Sequence, residues 1–313
     1  MNYTLHQLQI YIKIVQLESI TKASEALFMT QPAVSIQLKN FQNQFDIPLY
    51  EVVGRKIRIS EFGMEIYEMA EKIMNEIHAI NYKTQAFKGL LAGRLNISVV
   101  STGKYVMPLF LSGFMNKNSA VDLKMDVTNK SKVIQHLENN EIDFAFVSVL
   151  PENVKVNEEK ILENEIYLIG NADFEITEKV YSTEILKTLP LIYREKGSGT
   201  RFVMESFLEK TKLTTRKKME LTSTEAVTQA VIAGLGFSML PLVGIKHELN
   251  SGELKIIPVE GFPIKSEWRI IWLANKKLSP VANAYLEYLR AEKESIITKN
   301  FFWLNQYSSN IKL

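Results

Sequence analysis

Between Ile66 and Leu91 the apolar residues recur at alternating steps of four and three. Ile66, Ala70, Ile73, Ile77, Ile80, Phe87 and Leu91 fall on this register, with Thr84 as its polar member. A 3.5-residue period held over this length keeps one seam of a helix apolar from end to end, which favours pairing with a second helix as a coiled coil. Ile66, Ile73, Ile77, Ile80 and Phe87 are then the dimerisation residues. A long helix packed on its own domain would give the same pattern, and parallel and antiparallel pairing are not separated by it. In either case a linker helix over 61–91 divides the chain into an N-terminal part, 1–60, and a much longer C-terminal one.

The N-terminal part reads as three helices and a hairpin. Leu5, Leu8, Ile12, Val15 and Leu17 mostly follow helical spacing, and a second short helix runs from Ile20 to Phe28 with Ser19 or Thr21 as its cap. A third begins at Thr30, tolerates Pro32 in its first turn and carries the apolar stripe Val34, Leu38 and Phe41. Two helices joined by a short turn suit docking in the major groove of DNA. Residues 48–53 and 56–60 flank Gly54-Arg55 as two short strands with a basic tip would, which is a wing.

Charge supports that reading through its placement. Residues 1–60 carry Lys13, Lys22, Lys39, Arg55, Lys56 and Arg58 against Glu18, Glu25, Asp46 and Glu51, so the chain's whole net charge of +2 sits in its first fifth. Gln31 and Ser35 project from the first turns of the third helix, where they reach base edges. Lys22, Lys39, Arg55, Lys56 and Arg58 are placed to neutralise phosphates.

Composition narrows the remaining choices among the 313 residues. There is no cysteine, hence no disulfide framework and no thiolate nucleophile or metal ligand. His6, His78, His136 and His247 lie far apart in sequence, so no metal site and no cofactor are expected. No run approaches the ~18 consecutive apolar residues of a membrane span, and the start MNYTLHQLQI lacks the basic-then-apolar order of a secretory signal; the expected compartment is the cytoplasm.

After Gly93 short apolar runs alternate with helical stretches, as in an α/β domain with a largely parallel sheet. Strands are predicted over 94–100, 121–127, 142–149, 166–170, 189–193, 218–221, 237–240, 254–257 and 269–274. Helices are predicted near 106–115, 131–139 and 280–293, and the tail 298–313 carries Phe301-Phe302-Trp303.

The succession Ser19-Ile-Thr-Lys-Ala-Ser-Glu-Ala-Leu, Thr30-Gln-Pro-Ala-Val-Ser-Ile-Gln-Leu-Lys, Pro48-Leu-Tyr-Glu and Gly54-Arg-Lys-Ile-Arg-Ile-Ser resembles the N-terminal domain of LysR-type transcription regulators. The resemblance implies that Gln31, Pro32, Ala33, Ser35 and Ile36 open the DNA-facing recognition helix. Many members carry arginine at the Ile36 position; isoleucine can touch a thymine methyl but cannot pair with guanine. Val99-Val-Ser-Thr-Gly-Lys-Tyr, Tyr193-Arg-Glu-Lys-Gly-Ser-Gly-Thr-Arg, Glu220-Leu-Thr-Ser-Thr-Glu-Ala-Val and Glu260-Gly-Phe-Pro-Ile extend the resemblance over nearly the whole chain, toward the branch that includes the CbbR-type regulators of RuBisCO operons. It implies a periplasmic-binding-protein-like effector-binding domain over 92–297. The first lobe would be 94–164 with 269–297, the second 165–268, and the effector would lie between them. The family's habits imply a homodimer or homotetramer, with promoter DNA, a small-molecule effector and RNA polymerase as candidate partners.

The residues of those segments agree with a cleft for a small anionic metabolite. Ser101, Thr102, Gly103 and Lys104 follow a strand and open a helix, so amides, hydroxyls and a cation converge. Ser198, Gly199, Thr200 and Arg201 repeat the arrangement, Thr222 and Ser223 open a third helix, and Asn129 and Ser148 lie at other strand ends. The alternatives are plain helix caps and a surface ion pair for Arg201. An enzyme would need a nucleophile with its base, and Gly197-Ser-Gly is not a nucleophile elbow. A constitutive DNA-binder with a vestigial sensor and a transport-type anion-binding protein are the other readings.

Overall fold

Polar caps set the helix starts in the first unit, Met1–Leu90, of the computed structural model. The Thr4 hydroxyl accepts from the Gln7 amide at 3.3 Å while the Gln7 side chain accepts from the Thr4 amide at 2.8 Å, a reciprocal box that opens α1 (Leu5–Leu17). Ser19 caps α2 (Ile20–Ala26), and Thr30 caps α3 (Gln31–Gln42), whose Pro32 occupies the first turn, where a missing N–H is harmless. α2 stops short of the predicted Phe28, which takes a left-handed φ of 53° and stands 98% exposed in the turn before α3. The structure describes residues 2–53, 56–86, 90–304 and 307, and the side chains of 53, 56, 75, 78, 79, 81–86, 217 and 218 also fall outside that description. Arg55, Phe87 and the side chain of Lys56 therefore lie outside the described residues.

One core holds this unit together. Val34, Leu38 and Phe41 of α3 are buried as their spacing predicts, against Leu8, Ile10, Tyr11 and Ile14 of α1. The predicted face of α1 is engaged in part: Leu8 is buried, Ile12, Val15 and Leu17 are half-buried against the core and Leu5 is exposed, while Ile10, Tyr11 and Ile14, which the predicted set leaves out, are fully buried, because the apolar stripe is wide enough to offer more than one face. β1 (Tyr50–Val53) and β2 (Lys56–Ile59) pair antiparallel, with Glu51 opposite Arg58. α4 (Glu61–Ala86) then leaves the hairpin.

The first turns of α4 belong to this core. The Tyr11 hydroxyl donates to the Gly63 carbonyl at 2.9 Å, Ala70 is buried, and Ile66 packs against the same cluster. Ile66 is thus engaged within its own domain, and the apolar seam that stands exposed begins at Ile73 and continues to Ile80.

In the second unit, Leu91–Leu313, β3 (Gly93–Val100) lies parallel between β4 (Val121–Thr128) and β5 (Phe144–Val147). The 3₁₀ turn Ser101–Tyr105, α5 (Met107–Lys117) and α6 (Lys130–Glu138) form the crossovers. β6 (Val156–Asn171) then runs for 16 residues, where the sequence predicts a strand over 166–170 alone. It carries two antiparallel neighbours at its far end, β9 (Ser238–Pro241) and β10 (Leu254–Ile256), and pairs antiparallel along its length with β11 (Ile264–Leu273). β11 also pairs antiparallel with β5, so the expectation of a largely parallel sheet holds for β3, β4 and β5 and fails for β6, β9, β10 and β11. A parallel pair, β7 (Pro190–Arg194) and β8 (Arg216–Leu221), completes the strands, flanked by α7 (Gly199–Thr211), α8 (Thr224–Ile232) and α9 (Lys246–Ser251).

Separate cores mark two lobes. One gathers β3, β5, α5, α6 and the last helix, α10 (Pro280–Phe301), with Trp268 stacked on Phe146 at 5.0 Å. Trp268 therefore belongs to the first lobe, although the sequence assigns it to the second. The second lobe is built on Leu191, Tyr193, Met204, Leu208 and Met239 on one side of its strands and on Ile192, Val227, Val231 and Leu240 on the other. α10 continues past the predicted end at 293. Phe301 is buried in the first core, stacked on Phe110, while Trp303 lies under the Lys246 ammonium and Tyr307 donates to Asn250 on the second lobe. The start of the predicted tail is thus helix.

Gly63 gives this packing a test. A Cβ there would run into the Leu49 carbonyl and lie 2.8 Å from the Tyr11 hydroxyl. Gly63→Ala should destabilise the first unit by about 1–3 kcal/mol. Hydrogen exchange on the full chain should show faster opening of α1 and of the β1–β2 pair, with the second unit unchanged; equal protection in both proteins would contradict the packing described.

Candidate DNA-facing helix and effector cleft

α3 turns Val34, Leu38 and Phe41 inward, which forces the rest of its first turns outward. Gln31, Pro32 and Lys39 are exposed, Ile36 is 58% exposed, and Ala33 and Ser35 are half-buried. The predicted Lys22 on α2 and Arg58 on β2 are exposed as well. A polar pair, one apolar contact and flanking cations on a helix capped at its N-terminus is the equipment for reading base edges while neighbouring groups hold phosphates.

In the second unit the C-terminal ends of the parallel strands face each other between the lobes, where open α/β sheets place ligands. β3, β4 and β5 are followed directly by Ser101, Asn129 and Ser148, and β7 ends at Arg194. Arg194 is only 3% exposed and joins the two lobes: NH1 donates to the Thr224 hydroxyl at 2.6 Å and NH2 to the Ser101 hydroxyl at 3.1 Å. Its other edge, Nε and NH2, meets both oxygens of the Glu195 carboxylate at 2.8 and 3.0 Å, the bidentate fork that guanidinium offers to planar anions.

The other cations are also engaged. Lys104 donates to the Glu225 carboxylate, and the Tyr105 hydroxyl donates to the same oxygen at 2.8 Å. Partial burial works to raise the Glu225 carboxyl, but the Lys104 ammonium, a backbone amide and the Tyr105 hydroxyl hold it down at about 2. The same burial, with Glu225 beside it, pushes the Tyr105 phenol up. Arg201, predicted to face the cleft, instead pairs through Nε with Glu205 and through NH1 with Glu220, both at 2.7 Å, and with the Arg194 carbonyl at 3.0 Å. These bonds tie it to the strand that carries Arg194, and Arg201 also lines, with Ser198, the groove between the lobes.

The remaining predicted residues divide in the same way. Asn129, Ser198 and Ser223 each cap a helix, accepting from the amides of Lys132, Arg201 and Ala226 at 3.1, 3.4 and 3.0 Å. Gly103 lies flat on Phe146, where a Cβ would come within 2.7 Å of the ring, and Thr102 is buried beside it. The lobes touch again where the Ser131 amide donates to the Gly197 carbonyl at 3.2 Å, near Gly199 and Ser148. Thr200 is buried in the first turn of α7, and Thr222 is exposed before α8. A groove of about 610 Å³ opens beside this contact, lined by Lys130, Ile134, Lys196 and Phe202 among others.

Arg194, Glu195, Glu225 and Tyr105 fall inside the motifs that carry the resemblance but are not marked by the sequence as site residues, and Thr224 is marked only as part of a helix start. A usable signal was present: Arg194 is a cation at the last position of a buried apolar strand, directly before Gly197-Ser-Gly. Ser98, His136 and Asp126 lie within 3.2 to 3.6 Å of one another, but Ser98 is fully buried in β3 and no substrate reaches it. Among the described residues no group of three histidines or carboxylates could hold a metal ion, and no helix is long and apolar enough to cross a membrane.

Comparison with known proteins agrees with both halves. Residues 5–64 match the bacterial regulatory helix-turn-helix protein, lysR family, and residues 88–294 match the LysR substrate binding domain. The HTH-type transcriptional activator CmpR of Synechocystis sp. is 36% identical over 96% of this chain and 99% of its own length. The RuBisCO operon transcriptional regulator of Allochromatium vinosum is 33% identical over 93% and 97%. Among solved structures, the Synechocystis CcmR regulatory domain in complex with 2-PG superposes with a TM-score of 0.62 at 33% identity, covering 64% of this chain and 97% of that one. The chain belongs to the LysR family of DNA-binding transcription regulators and carries that family's helix-turn-helix and effector-binding domains.

Proposed function

We propose that the chain regulates promoters through α3 in response to a small anionic metabolite held between the lobes of its sensor, and that it works as a homodimer or homotetramer in the cytoplasm. The observation that carries the effector assignment is Arg194, a buried guanidinium bonded to a hydroxyl from each lobe. An anion bound there touches both lobes, so its affinity differs between lobe arrangements, which is the requirement for any ligand to shift an equilibrium. The 33% identical CcmR regulatory domain, solved with 2-PG, supports 2-PG as the first ligand to try.

Calorimetric titration of the full-length chain with 2-PG tests this. Arg194→Lys keeps the charge but loses the fork, and affinity should fall by roughly 10- to 100-fold, the scale of one or two charge-assisted hydrogen bonds. Unchanged affinity would place the effector elsewhere.

On the DNA side, Gln31→Ala should relax base preference at a cost of roughly 1–3 kcal/mol. Arg58→Ala should weaken all sequences alike and flatten the dependence on salt. Footprinting against a matched and a scrambled site separates the two, and an equal loss of discrimination in both variants would refute the assignment.

For assembly, Ile73 and Ile80 stand 39% and 65% exposed on α4. Replacing both with lysine should give monomers that occupy a full operator poorly; light scattering that returns the parental mass would contradict a paired seam.

A further inference from the structure

Lys104 and Tyr105 come from the first lobe, and Glu225, about which they close, comes from the first turn of α8 in the second. The tie therefore crosses the cleft, beside Thr224 and Ser101, the two hydroxyls that Arg194 joins. One of its donors is also packed on the acceptor's own lobe. The Tyr105 ring lies against Gly244, where a Cβ would sit 3.3 Å from the ring, and the ammonium of Lys104 is 5.2 Å from the same ring.

The two carboxylates of the cleft differ in how readily they can leave. Glu195 and its partner Arg194 are 15% and 3% exposed, a buried pair that is costly to break. Glu225 and Lys104 are 48% and 33% exposed, so water and dissolved anions reach them, and pairs of this kind contribute little. Near neutral pH Glu225 stays ionised, its carboxyl held at about 2 by Lys104, a backbone amide and Tyr105.

We propose that the Glu225 carboxylate is a built-in counter-anion: it occupies the seat, made by Lys104 Nζ and the Tyr105 hydroxyl, that the carboxylate or phosphate of an effector takes when it binds. The proposal rests on the reading of an anion held between the lobes and adds what that anion must displace. Exchange keeps the ammonium paired throughout, so it avoids leaving a half-buried charge without a partner. It also releases a side-chain tie between the lobes, which couples occupancy directly to lobe movement. A phosphate monoester, with more charge than a carboxylate, competes better for the seat.

Titration of the full-length chain with inorganic phosphate tests the exchange. Glu225→Gln should bind phosphate at least about ten-fold more tightly than the wild type, and adding Lys104→Met should remove that gain. Glu225→Asp, which keeps the charge on a shorter arm, should gain less, and it serves if the glutamine variant does not fold. Unchanged or weaker binding in the Glu225 variants, including no binding in any protein, overturns the proposal. Arg194→Lys separates it from the broader reading: a loss there with no gain in Glu225→Gln overturns the exchange alone, whereas a gain in Glu225→Gln with normal binding in Arg194→Lys overturns the Arg194-centred cleft and leaves the exchange standing.

Discussion

The antiparallel ladder between β6 and β11 is the constraint on which the rest of the sensor hangs. It runs from Ile264 opposite Ile166 to Leu273 opposite Val156, with a shift of register between Trp268 and Arg269. One end of this ribbon is covered by the core around Trp268 and the other by the cores around Ile166 and Tyr167. Because the same two strands serve both lobes, the parallel strands of each lobe end toward a common cleft. Ser101, Arg194 and Thr224 meet there although they are far apart in sequence.

What meets in the cleft is then decided by electrostatics. A half-buried cation without a counter-charge is costly, and here Arg194, Lys104 and Arg201 each have a carboxylate from their own chain. The cleft is thus balanced before any effector enters, and a ligand gains only the difference between its own contacts and those it replaces. Such differences are small next to the gross pairing energies. A modest preference of an anion for one lobe arrangement, of about 1–3 kcal/mol, nevertheless suffices to shift a regulator between states.

Much of this architecture was legible in the sequence where local rules decide it. Thr30, Pro32 and the stripe Val34, Leu38 and Phe41 announce α3 because a cap, a tolerated proline and one buried face act within a few residues. The first half of β6 was hidden. Asn157, Glu158, Glu159, Lys160 and Glu163 make it as polar as a loop, and its partners Arg269, Arg290 and Lys293 come from the far end of the chain. Helix starts near the cleft were visible as Ser, Thr and Gly clusters, yet whether a cation there faces a ligand or a carboxylate depends on long-range neighbours. Arg201 meets Glu205 and Glu220 there, whereas Arg194, seven residues earlier, bonds a hydroxyl from each lobe. The seam of α4 shows the same limit: spacing marks Ile66 and Ile73 alike, and the fold engages Ile66 in its own core.

The claim that an anion acts at the centre of the cleft is tested most directly by locating one there. Tungstate, a phosphate analogue whose anomalous scattering identifies its position, can be diffused into crystals of the full-length protein. The account predicts a peak beside Arg194 and Ser101, in contact with Lys104, with the Glu225 side chain turned away. A peak confined to the groove of Lys130 and Lys196, with the Lys104–Glu225 pair intact, would contradict it.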